Sequence, residues 1–110
     1  MADPRIRQLT IKTGVVKRLA KEKTVYEKEV RTERSRLEKF RNDGADEHVL
    51  RKQEEVIMEC EMMVPDSKKR LIREFETLKK FLEDEEDLKE TEAYTKAAEV
   101  ISDAKTVLGL

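Results

Sequence analysis

Between Arg5 and Phe40 the chain has no proline and a single glycine, Gly14. Steps alternating between three and four residues pick out Leu9, Lys12, Val16, Leu19, Lys23, Tyr26, Val30, Glu33, Leu37 and Phe40, seven of them apolar or aromatic. That spacing is a coiled-coil seam, and nothing interrupts one helix of about 37 residues, roughly 55 Å at 1.5 Å per residue. A helix of that length cannot bury its stripe alone, so the rest of the chain must supply its partners. With 45% charged, 37% hydrophobic and 5% aromatic residues, the composition is that of long amphipathic helices around a narrow seam. The expectation is one all-α domain over residues 1–110, an antiparallel three-helix bundle with coiled-coil packing.

Asp3-Pro4 opens the first helix as N-cap and first helical residue, for a helix at about 4–41. Lys12, Lys23 and Glu33 interrupt its stripe and are expected to lay their stems on the seam with their tips in water. Asn42-Asp43-Gly44 closes it with residues that tolerate positive φ, and Asp46 caps a second helix at about 46–84. The short turn makes the two antiparallel neighbours. His48 has no second ligand at metal spacing and is expected in solvent.

The second helix carries the heptad column Leu50, Ile57, Val64, Leu71 and Leu78. Its companions change from Val49, Val56, Cys60 and Met63 to Phe75, Phe81 and Leu82, so it faces more than one neighbour. Cys60 reads as a small buried hydrophobe. Pro65 is expected to kink or break the helix, with Asp66 and Ser67 satisfying the freed backbone amides. The carboxylate run Glu83 to Asp87 reads as a solvated turn. A third helix at about 90–108, capped by Asp87 or Thr91, presents Tyr94, Ala97, Ala98, Ile101, Ala104 and Leu108 on one face and should lie in the groove of the other two.

Residues 1–41 carry 13 Lys/Arg against 6 Asp/Glu, and residues 42–110 carry 11 against 19. Antiparallel helices of opposite charge attract across their flanks, and the same asymmetry could offer an acidic partner a basic face. The outward residues that fit partner binding are Ile11, Lys17, Arg18, Lys21 and Val25 on the first helix, with Met58, Met62 and Pro65 on the second. The lone cysteine allows no internal disulfide, and the start lacks a signal-peptide apolar region. No phosphate loop, nucleophile elbow, zinc spacing or nucleic-acid motif occurs, so catalysis, metals and cofactors are not expected.

Lys12-Thr13-Gly14-Val15-Val16-Lys17-Arg18-Leu19, Lys21-Glu22, Tyr26-Glu27-Lys28-Glu29, Lys52-Gln53-Glu54, Met62-Met63-Val64-Pro65-Asp66 and Arg70-Leu71 closely resemble the tubulin-binding cofactor A family across about residues 3–82. The resemblance implies a cytoplasmic, cytoskeleton-associated chaperone, monomer or homodimer. It would capture β-tubulin folding intermediates after the cytosolic chaperonin and pass them on for αβ-heterodimer assembly. Other tubulin-folding cofactors would be further partners, with no role for nucleic acid or membrane. Periodicity alone also admits a generic helical scaffold or adaptor, which would normally recur as repeats.

Overall fold

The computed structural model describes residues 3–110; Met1 and Ala2, which open the start read above as leaderless, lie outside it. Three helices form, α1 at Pro4–Asn42, α2 at Glu47–Asp84 and α3 at Glu92–Leu108, with a 3-10 turn at Glu86–Leu88 before α3. Asp3 caps α1 by accepting from the Arg5 amide, and Asp46 caps α2 by accepting from Val49 N–H at 3.0 Å. Thr91, not Asp87, caps α3; Asp87 belongs to the 3-10 turn. At the end of α1 only Gly44 takes positive φ, at 75°. Its amide returns to the Arg41 carbonyl and that of Ala45 to Phe40, closing the helix with a glycine in the left-handed region.

The pairing is antiparallel. Arg41 meets Glu54, Arg34 meets Glu61 and Arg5 meets Glu85, so positions rise on α2 as they fall on α1. At one end of α3 the Tyr94 hydroxyl donates to the Leu82 carbonyl; at the other the Val107 carbonyl accepts from Lys23. So α3 lies alongside the first half of α1 and the second half of α2, and ends at the level of Lys23. The long dimension is 65 Å against 25 and 17 Å.

Leu9, Val16, Leu19, Ala20, Leu71, Phe75, Leu78, Leu82, Ala97, Ala104 and Leu108 form one core, entirely in the three-helix half. Beyond it α1 and α2 continue as a two-helix hairpin, where Val30, Leu37 and Ile57 are the buried apolar residues and Gln53 donates to the Glu33 carboxylate at 2.7 Å. Ala98 is exposed, contrary to its expected place on the packed face of α3, while Val100 and Val107 pack there.

α2 is not broken at Pro65 but runs through it. The missing proline N–H leaves the Glu61 carbonyl, not an amide, without its helical partner. Ser67 satisfies no freed group, because it is fully buried with its hydroxyl unpaired. The changeover of flanks begins here. The inward positions of α2 are Gln53, Ile57, Cys60, Val64, Ser67, Leu71, Phe75, Leu78 and Leu82, and two consecutive steps of four, Ser67 to Leu71 to Phe75, break the heptad. Such an insertion rotates the apolar stripe around the helix, here from α1 alone toward α1 and α3 together.

Candidate partner-binding surface

α1 presents its expected residues on the side turned away from α3. Arg18, Lys21 and Val25 line one shallow concavity with Glu22 and Tyr26, and Ile11 lies two heptads before Val25 in the same column. Ile11 is 57% and Val25 43% exposed, so both offer apolar surface to solvent. Arg18 holds Glu22 loosely at 3.8 Å, and Lys17 stands exposed one position away, around the helix from this concavity.

The α2 residues occupy a different side. Pro65 lines a groove between the hairpin helices with Val64 and Glu61 on α2 and Glu27, Val30, Arg31 and Arg34 on α1. Met58 and Met62, 63% and 72% exposed, stand one and two turns back along α2. Ile72, one heptad beyond Pro65 and 39% exposed, continues the column, giving Met58, Pro65 and Ile72 at sevenfold spacing. Ile72 escaped the sequence reading although its spacing was the signal. Val30 rotated by about 40° to 100° reaches Glu27, Arg31 and Arg34, whereas Tyr26, Glu22 and Val25 lie at comparable or larger angles in the other sense. The expected residues therefore form two faces and not one patch.

Polar interactions fix the frame behind these faces. Lys23 is buried at 7% exposure, and its ammonium donates to Glu27 Oε1 at 2.7 Å and to the Val107 carbonyl at 3.2 Å. Its tip is not in water, as its place in the stripe suggested; it holds the last turn of α3, where carbonyls lack helical partners. Lys12 is half-buried with its ammonium 6.0 Å from the Phe81 ring centre. Arg5 donates to Asp3, Glu85 and Asp87, at 2.6, 2.7 and 2.9 Å, so part of the acidic run is a clamp and not only a solvated turn. That guanidinium holds the Asp3 and Asp87 carboxyls below their ordinary range, and these carboxylates push the Arg5 pKa up. Cys60 is half-buried, and desolvation followed by Glu29, Glu33 and Glu59 raises its pKa, which disfavours the thiolate. His48 is exposed, and among the described residues no cluster of three or more His, Cys, Asp or Glu side chains could hold a metal. No helix is long and apolar enough to cross a membrane.

The family described as Tubulin binding cofactor A matches residues 4–101. The chain belongs to the tubulin-binding cofactor A family. The match continues past residue 82, through the second turn and into α3. Human tubulin-specific chaperone A is 46% identical over 105 residues, covering 96% of this chain and 97% of that protein. A structure of tubulin folding cofactor A from Arabidopsis thaliana superposes with TM-score 0.87 at 38% identity, covering 94% of this chain and 97% of that one. The human tubulin chaperone cofactor A structure superposes with TM-score 0.81 at 42% identity, over 93% and 99% of the two chains. The cofactor A helical bundle is thus the fold of this chain, and the family is one of chaperones.

Proposed function

We propose that this chain is a cytoplasmic tubulin-folding chaperone that captures β-tubulin after the cytosolic chaperonin and hands it on for αβ-heterodimer assembly. The observation that carries the reading is the family match over residues 4–101, which takes in both candidate faces. The role requires binding and release but no bond chemistry. Exposed methionines suit it, because an unbranched thioether side chain adapts to a client that is not yet fully folded. The favoured contact is the α2 side, Met58, Met62 and Pro65. Ile11 and Val25 on α1 form the second candidate, with Lys17, Arg18 and Lys21 steering an acidic client toward it.

Purified protein mixed with a cytosolic folding extract should retain β-tubulin. Recovery of RNA, or of no tubulin, would overturn the reading. Met62→Glu should weaken capture about tenfold, equivalent to about 1.4 kcal/mol, with the melting temperature unchanged because the side chain is solvent-facing. Normal capture by that variant would move the contact to the α1 face.

A further inference from the structure

The groove lined by Pro65 is the unfilled continuation of the seat that α3 occupies. In the filled part, α3 packs on the α1 column containing Leu9 and Val16 and on the α2 column containing Leu71 and Leu78. One heptad past Lys23 on α1 is Val30, and one heptad before Leu71 on α2 is Val64; these two are the floor of the open groove. α3 stops at the junction, where Lys23 ties the Val107 carbonyl to Glu27, the first residue of the open part. The same two helices present the same columns on both sides of Lys23, but only one side carries a third helix.

We infer that this groove, about 390 Å³, seats an amphipathic α-helix of the client, end to end with α3; the inference rests on the chaperone reading above. A helix is the occupant because continuity of the two columns gives the open part the register that already accommodates one. Its chemistry follows from the lining. Val30, Val64 and Pro65 take an apolar stripe, and Arg31, exposed and in no ion pair among the described residues, takes a carboxylate on its flank. Arg34 and Glu61 bridge the two banks at 2.6 Å with both side chains largely in water. An exposed pair of this kind is easily opened, and on opening it presents one cation and one anion to the incoming helix. From Glu27 to Arg34 the α1 bank spans about two turns, so a segment of two to three turns fills it.

The test uses the full chain with Cys60→Ser, carrying a photo-crosslinker on Arg31→Cys in the groove or on Glu22→Cys on the other face. The probe is β-tubulin synthesised in a cytosolic folding extract. The expected result is a crosslink from position 31, and little from position 22, into a β-tubulin segment whose synthetic peptide gains helicity when the chaperone is added. Arg31→Glu should lower capture about tenfold without changing the melting temperature. Crosslinking mainly from position 22, a non-helical crosslinked segment, a crosslink into a second copy of this chain, or parental capture by Arg31→Glu would each overturn the groove while leaving the chaperone reading standing. Failure of the parent chain to hold any β-tubulin would remove both.

Discussion

Lys23 shows how one side chain sets where a helix ends. Its stem fills a heptad position that an apolar residue would normally hold, and its ammonium serves a carbonyl 84 positions away. Lys23→Ala should therefore lower stability by about 2 kcal/mol in urea titration, combining lost packing with a lost donor, while Lys23→Met should recover the packing share. Arg5 acts through charge at the opposite end of the bundle. Because the Asp3 and Asp87 carboxyls are held below their unfolded values, their contribution is present above the ordinary carboxylate range and is lost as pH falls through the folded values. Unfolding followed from about pH 7 to about pH 2 should show Arg5→Met less stable at neutral pH and the difference closing below about pH 4. The position of Lys23 in the stripe was legible in the sequence but its partner was not, since a main-chain carbonyl carries no residue-type signal. Ser67, a fully buried polar residue, was unreadable for the converse reason: serine in a helix normally signals exposure.

Two small departures from helix-forming chemistry stand in otherwise favourable elements. Gly14 lies within α1 with nothing within 4 Å of where a β-carbon would be. Gly14→Ala should raise stability by about 0.5–1 kcal/mol, read as roughly 4 °C in melting temperature. Pro65→Ala restores a donor to the Glu61 carbonyl and should preserve or raise stability, by up to about 3 kcal/mol, while weakening β-tubulin capture. Equal capture by this variant would make the proline a tolerated feature and not a contact. At this scale most of the fold was readable. Asp3, Asp46 and Thr91 are caps by residue type, Gly44 is the one turn residue with positive φ, and the heptad columns of α1 and α2 are in their expected places. The two faces were less readable. Ile11, Arg18 and Val25 could be grouped by spacing, and so could Met58 and Pro65, but which side of the hairpin carries α3 depends on the stutter at residues 67–75 and on helix lengths, not on any local motif.

Across the whole molecule, packing is unequal. The three-helix half contains Phe75, Leu9, Leu71, Leu78 and Val16 with almost no exposure, whereas in the hairpin half even Ile57, Val30 and Leu37 keep 7–9%. Amide exchange should reflect this, with residues 16–20 and 71–78 protected at least about tenfold more than residues 30–37 and 50–57; uniform protection would mean the hairpin is held by something other than its own packing. The elongated outline has a practical consequence for anyone weighing the protein in solution. Its radius of gyration is 19.5 Å. A compact chain of 110 residues would have about 13 Å, and one with the observed radius would have about 310 residues. On a sizing column calibrated with spherical standards, one copy will therefore elute where a much heavier particle is expected, and a position near that of a dimer or trimer says nothing about self-association. Light scattering or sedimentation equilibrium, which weigh particles without assuming their outline, are the methods that count copies of a rod.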